Sequence, residues 1–142
     1  MSIKDISSEE LKKMISSLKA QGITNTSVLD IMSTIERHMF MEPALRGRAY
    51  DFDSFLIGFN QTISSPYIVA KMTQLLIEAD SMKNVLEIGT GCGYQACILS
   101  KLFERVTTIE RVEPLYLKTK NLLKSLNYKN ILSIYGDGFG GF

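Results

Sequence analysis

The 142-residue chain is 45% hydrophobic and 22% charged, the balance of one globular domain rather than a disordered segment. Its 16 basic and 15 acidic residues leave a net charge of +1, which supplies no field to gather nucleic acid or an anionic membrane. No apolar run approaches the ~20 residues of a membrane span. Two cysteines, Cys92 and Cys97, fit neither a disulfide framework nor a zinc-ligand spacing, so reduced thiols and no metal site are expected.

The N-terminus, "MSIKDISSEELKK", is polar and has no signal-peptide core, which implies a cytoplasmic location. Ser7 and Glu10 have capping-box spacing, and Leu11, Met14, Ile15 and Leu18 then mark one helix face before Gly22. A second short helix is expected from Thr26 or Ser27, with Val28, Leu29, Ile31, Met32 and Ile35 inside. Residues 41–62 show no sustained period and read as an irregular, aromatic-rich segment. In "SSPYIVAKMTQLLIEA", Ser65 is a good N-cap and Pro66 suits the first helical position. Ile68, Val69, Met72, Leu75, Leu76 and Ala79 are expected to form that helix's buried face, and a polar turn, "DSMKN", follows.

The pattern then changes. "NVLEIG" is a short, nearly all-apolar strand, "YQACILSKLF" a helix, "RVTTIE" a strand, "EPLYLKTKNLLKSL" a helix and "NILSIYG" a strand. Alternation with short links predicts an α/β fold: βαβ units forming a parallel, Rossmann-like sheet with the N-terminal helices as an appendage.

Gly89, Gly91 and Gly93 lie where the first of these strands turns into its helix. One glycine suffices for a tight turn, whereas three in a βαβ context favour close approach of a ligand to the main chain. The position of the third glycine in the dinucleotide fingerprint is held here by Tyr94, which disfavours NAD. The carboxylate of Glu87 would repel a pyrophosphate and attract an ammonium or sulfonium; S-adenosylmethionine carries both. Glu110, at the end of the second strand, is placed to accept hydrogen bonds from ribose hydroxyls, or to pair with Arg111 at an exposed strand end. Asp137 and Gly138, in "GDG" at the third strand end, either form a turn or give the adenine amino group an acceptor with room for the ring. Ligands in such sheets sit at the carboxyl ends of the strands, where all three features fall. His38 reads as a satisfied structural histidine and Cys92 as a small packing residue, with no base beside it in sequence.

"VLEIGTGCGYQA", "VTTIER" and "GDG" resemble the three S-adenosylmethionine motifs of the protein-L-isoaspartate O-methyltransferases. "IGFNQTISSPYIVAKMTQLL", residues 57–76, is similar to that family's substrate-side signature, and "ERHMFM" and "AYDFD" resemble further landmarks. The resemblance spans nearly the whole chain. It implies a class I methyltransferase that repairs damaged proteins by methylating the α-carboxyl of L-isoaspartyl residues. It also implies catalytic Ser64, substrate contacts from Gln61, Thr62 and Ile63, and cofactor contacts from Glu87, Gly89, Gly91, Gly93, Glu110, Asp137 and Gly138. By position alone Ser64 reads as a helix-cap serine, since Ser65 and Pro66 follow it, and only the family resemblance reverses that.

The chain departs from the family pattern at "GFNQ", where Asn60 replaces a glycine, and at Leu56, where the family often has proline. Family members continue through further strands and helices after "GDG", with the next strand beside "VLEIG". The expectation is therefore one incomplete domain over 1–142: N-terminal helices and substrate-side segment over 1–62, and a βαβαβ cofactor core over 63–142. The C-terminal strands would be missing, and an exposed apolar edge would invite self-association. A catalytically inactive adenosylmethionine-binding remnant, and another class I methyltransferase, are the alternative readings.

Overall fold

The computed structural model describes residues 3–79 and 82–141. Asp80 and Ser81 of the expected polar turn lie outside the described residues. The first helix, α1 (Ile3–Ala20), starts upstream of Ser7, so the capping-box spacing does not mark its N-terminus. It ends on Gly22, at φ 96°, with Gly22 N donating to Lys19 O (3.1 Å) and Ile23 N to Leu18 O (3.0 Å). That is the paired closure of a left-handed C-terminal stop, which only glycine adopts without strain. The second helix, α2 (Thr26–Met32), is capped by Asn25, whose side chain accepts from Val28 N at 3.1 Å. Two 3₁₀ turns follow, Arg37–Phe40 and Pro43–Arg48.

The segment expected to be irregular contains an antiparallel hairpin, β1 (Phe55–Gly58) and β2 (Gln61–Ile63). Its two-residue loop, Phe59 and Asn60, has φ of 55° and 56°. Positive φ at both central positions is the tight turn that matches the twist of a hairpin, and it favours Asn-Gly. Phe-Asn carries no such signal, which is why the period of the sequence concealed the hairpin. Phe59 is half exposed, so its conformation is not offset by burial. The double substitution Phe59→Asn, Asn60→Gly is expected to raise stability by about 1–2 kcal/mol. Thermal unfolding checks this; an unchanged or lower midpoint would refute the turn geometry.

The alternating part matches its expected elements: α3 (Pro66–Ala79), β3 (Asn84–Ile88), α4 (Tyr94–Leu102), β4 (Arg105–Glu110), α5 (Glu113–Ser125) and β5 (Ile131–Tyr135). The three strands are parallel in the order β3-β4-β5, in register from Asn84 opposite Arg105 to Glu110 opposite Tyr135. The main core runs continuously from α1 and α2 (Met14, Leu18, Val28, Met32) through Phe40 and Tyr94 to Leu115 and Leu123 of α5. A smaller cluster, Val85, Ala96, Leu99, Phe103 and Val106, joins β3 and β4 to α4.

The expected buried face of α3 is corrected by the structure. Val69 is buried, but Ile68, Met72, Leu75, Leu76 and Ala79 are exposed, Met72 to 61%. The residues packed inward with Val69 are Ala70, Thr73 and Gln74. Polar side chains can be buried there because each is satisfied. Gln74 Oε1 accepts from Thr24 N (3.0 Å) and Asn25 N (2.9 Å), which locks the α1–α2 link onto α3. Thr73 donates to Val69 O (2.8 Å) and accepts from Gln95 Nε2 (2.7 Å). Met72 and Leu76 instead border a cleft shared with Leu86 and Ile88 of β3. As expected for that strand, β3 pairs on one side only among the described residues, with β4, and Leu86 and Ile88 are 46% and 55% exposed. No helix among the described residues is long and apolar enough to cross a membrane.

Candidate functional site

Strand β3 ends in Ile88, and the chain turns through Gly89 to Gly93 into α4. Gly89 N and Thr90 N both donate to Ile109 O, at 2.8 and 3.2 Å, and Gly93 N donates to Thr90 O at 3.0 Å. These amides are spent on holding the loop to β4 and to itself. What it offers is space. A Cβ built on Gly89 meets nothing within 4 Å. Gly93 has a different reason to be glycine. It has φ 89°, and a Cβ there would lie 2.9 Å from Thr119 Cγ2 and 3.2 Å from Leu123 Cδ2. Gly93 therefore sets how closely α5 packs under the loop, and it lines neither part of the cleft described below.

The cleft has two lobes, of about 390 and 300 Å³. The larger is lined by Thr62, Ile63 and Ser64 from the hairpin side and by Glu87, Cys92 and Gln95 from the sheet side. The smaller is lined by Gln61, Glu110, Asp137 and Gly138. Thr62, Ile88, Gly89 and Gly91 line both, so the lobes adjoin at the glycine loop. Apart from Gly93, every site residue singled out in the sequence borders this cleft. The helix cap of α3 falls to Ser65, whose Oγ accepts from Ile68 N at 3.4 Å, while Ser64 is exposed toward the larger lobe.

Glu110 is almost fully buried and does not pair with Arg111 among the described residues. Its Oε2 accepts from Gly91 N (2.9 Å) and its Oε1 from Val112 N (3.0 Å). Each carboxylate oxygen retains a second acceptor direction, so this side chain can hold the glycine loop and still receive two hydroxyls from the cleft. Asp137 Oδ1 accepts from Phe139 N (3.0 Å) and caps a 3₁₀ turn, Gly138–Gly140, leaving Oδ2 available. A Cβ on Gly138 would come within 2.3 Å of Ile88 Cγ2, so glycine is what lets the β5 end lie against the β3 end.

Sequence reasoning missed the polar chain behind Glu87. Thr108 Oγ1 donates to Glu87 Oε1 (2.6 Å), and Thr90 Oγ1 lies 2.6 Å from Thr108 Oγ1. Thr108 has one hydroxyl proton, so with Glu87 ionised the donation runs Thr90 to Thr108 to Glu87. The clue was available: a threonine in a strand buried on both faces needs a partner. Burial pushes the Glu87 carboxyl up to about 7; the Thr108 hydrogen bond opposes this and the nearby Glu110 charge adds to it. A cation in the cleft would favour ionised Glu87.

The other candidates are satisfied in place. His38 Nδ1 is 2.9 Å from the Tyr50 hydroxyl and its Nε2 is 3.4 Å from Glu36. Burial pushes the Cys92 thiol up to about 11, which leaves it inert as a nucleophile near neutral pH.

Comparison with known proteins agrees with this geometry. The profile of the protein-L-isoaspartate(D-aspartate) O-methyltransferase family matches residues 9–142. A protein-L-isoaspartate O-methyltransferase of Pseudomonas fluorescens is 44% identical over 131 residues, covering 92% of this chain and 62% of the relative. One of Burkholderia ambifaria is 45% identical over 134 residues, covering 94% of this chain and 43% of the relative. The chain thus spans only part of the length of these relatives. A solved protein-L-isoaspartate O-methyltransferase superposes with a TM-score of 0.78 at 22% identity, over 90% of this chain and 42% of its own. A candidate protein-L-isoaspartate O-methyltransferase of Plasmodium falciparum, solved with S-adenosyl-L-homocysteine, superposes at 0.71 and 22%, over 87% of this chain and 61% of its own. At that identity the superpositions establish the fold, the Rossmann-like fold of class I methyltransferases.

Proposed function

The chain belongs to the protein-L-isoaspartate(D-aspartate) O-methyltransferase family, and from that premise we propose that it transfers a methyl group from S-adenosylmethionine to the α-carboxyl of L-isoaspartyl residues in damaged proteins or peptides. The observation that carries this reading is the adjoining of the two lobes at Thr62, Gly89 and Gly91. One lobe is bordered by a serine and a strand end, the other by two carboxylates, so a protein acceptor and a nucleoside donor can meet over the loop.

When bound, adenosylmethionine supplies a methyl group made electrophilic by its sulfonium. The residues present suit such a molecule. The remaining acceptor directions of Glu110 match two ribose hydroxyls, Oδ2 of Asp137 matches the adenine amino group, and Glu87 faces the cationic end. The open space beside Gly89 lets the ligand lie on the main chain. On the other side, Gln61, Thr62 and Ile63 of β2 offer a strand against which an extended peptide can align.

The attacking group is a carboxylate, with an ordinary pKa of about 3.5–3.9, so no general base is needed at neutral pH. Oxygen attacks the methyl carbon as the carbon–sulfur bond breaks, and a negative and a positive charge cancel into a neutral ester and a neutral thioether. Removing water from between these charges, and aligning oxygen, carbon and sulfur, are what this site contributes. The Ser64 hydroxyl donates a hydrogen bond that orients the carboxylate; it is not a nucleophile. Cys92 and Cys97 are free thiols, in keeping with a cytoplasmic setting for the activity.

The test is methyl transfer from labelled adenosylmethionine to two matched peptides, one isoaspartyl and one aspartyl. Transfer to the isoaspartyl peptide alone is the expected result; transfer to neither, from folded protein, would sink the reading for this chain. Ser64→Ala is expected to lower turnover by about 10–100-fold, the value of one hydrogen bond to a charged group, with adenosylmethionine affinity little changed. Unchanged turnover would remove Ser64 from the mechanism.

A further inference from the structure

The main chain of Ser64 is held from inside the core by a residue that lies far from it in sequence. Arg37 has no exposed surface. Its Nη2 donates to Ser64 O (2.9 Å) and its Nε to Ala49 O (2.6 Å). The guanidinium carbon lies 5.0 Å from the centre of the Tyr94 ring. Tyr94 is the first residue of α4, directly after Gly93 of the glycine loop. No carboxylate pairs with Arg37 among the described residues, and its Nη1 and the Tyr94 hydroxyl are both buried without a hydrogen-bond partner there. Burial accordingly pushes the Arg37 pKa down. A guanidinium held this way is a costly core residue, and an aliphatic side chain would fill the space without that cost. What an aliphatic side chain would not do is join the serine segment, the 3₁₀ turn at Ala49 and the helix that follows the glycine loop.

We propose that Arg37 is a positioning residue of this site: it fixes the Ser64 peptide against the first turn of α4, so that the serine hydroxyl and the glycine loop keep one relative placement. The consequence for methyl transfer rests on the function proposed above, whereas the tie itself does not.

The variant Arg37→Lys keeps the charge but loses the planar fork that reaches two carbonyls and lies on the ring. Amide hydrogen exchange followed by mass spectrometry reads the tie directly, with S-adenosylhomocysteine as the bound probe. Exchange over residues 61–65 is expected to rise at least tenfold in the variant, while exchange over residues 96–102 of α4 and the adenosylhomocysteine Kd change less than threefold. In the methyl-transfer assay, kcat is expected to fall at least tenfold with the KM for adenosylmethionine changed less than threefold. A uniform rise across both segments would mean a merely structural residue and would overturn the proposal; so would unchanged exchange at 61–65. If the wild-type chain transfers no methyl group, the functional reading fails and the exchange result alone decides the role of Arg37. Should Arg37→Lys fail to fold, Tyr94→Leu removes the ring beneath the guanidinium and is expected to give a smaller rise, about threefold, confined to 61–65; no local rise there overturns the proposal.

Discussion

Replacing Glu110 with alanine is expected to destabilise the fold by about 3 kcal/mol and to weaken adenosylmethionine binding by about 100-fold or more. The stability loss follows from two main-chain amides, Gly91 N and Val112 N, which both end on this carboxylate in a nearly fully buried setting. Each orphaned buried donor costs about 1–3 kcal/mol, more when the lost partner is charged. The binding loss has two expected sources: the ribose acceptors proposed for Glu110 vanish, and the loop that borders both lobes loses its anchor. Glu110→Gln separates these sources. A glutamine oxygen still accepts one amide, but its NH₂ group faces the other as a second donor, so roughly half the stability loss is expected to remain. Thermal unfolding and titration calorimetry on the three proteins check this. An unfolding midpoint for Glu110→Ala equal to wild type would show that the carboxylate does not hold the loop.

Ionisation of Glu87 is expected to make both stability and ligand affinity depend on pH, in opposite directions. Its carboxyl is raised in the folded chain from the usual 4.5 to about 7. Below about pH 4.5 the group is protonated whether the chain is folded or not, and no stability is lost. Between about 4.5 and 7 the unfolded chain releases the proton while the folded chain retains it, so folding becomes progressively less favourable. Above about 7 the loss is complete, at about 3 kcal/mol for a shift of this size. Glu87→Gln lacks this loss. The variant is expected to exceed wild type in stability by about 3 kcal/mol at pH 8, and to show a margin that shrinks as pH falls toward 4.5. Other groups titrate over the same range, so the difference between the two proteins is the quantity to follow. Adenosylmethionine affinity should run the other way, tightening as pH rises through about 7, because the sulfonium and ammonium favour the ionised carboxylate. Near pH 6 binding is expected to release close to one proton, measurable by calorimetry in buffers of different ionisation enthalpy. A wild-type affinity that is flat from pH 5.5 to 8 would show that Glu87 does not face the cation.

These two acids show the limits of reading a site from a chain. Their presence at strand ends was visible, because a strand followed by a glycine loop places its last residues at the mouth of the sheet. Their electrostatic state was not. The Glu87 carboxyl is raised by burial and by the Glu110 charge, against the Thr108 hydrogen bond, and both Glu110 and Thr108 reach it from the neighbouring strand. The way the glycine loop is held was hidden for a tertiary reason as well: its amides are tied to the neighbouring strand. Those amides find Ile109 O and Glu110 Oε2 across the sheet, contacts that no local pattern encodes.

The amino-acid sequence by itself determined the order of the elements from α3 to β5 and the strand ends that border the cleft. Those features are local: short apolar runs, Pro66 and Pro114 near helix starts, and glycines at a strand-to-helix turn act within a few residues of one another. Only the tertiary structure decided which face of α3 is buried, that a Phe-Asn turn brings Gln61 and Thr62 to the glycine loop, and that Arg37 grips Ser64 from 27 residues away. A period of 3.6 reveals an apolar stripe but not its neighbour, and Thr73 and Gln74 went inward because partners elsewhere in the fold satisfied them. Periodicity is a property of one element, whereas burial and hydrogen-bond satisfaction belong to pairs of elements, and the pairs exist only once the chain has folded.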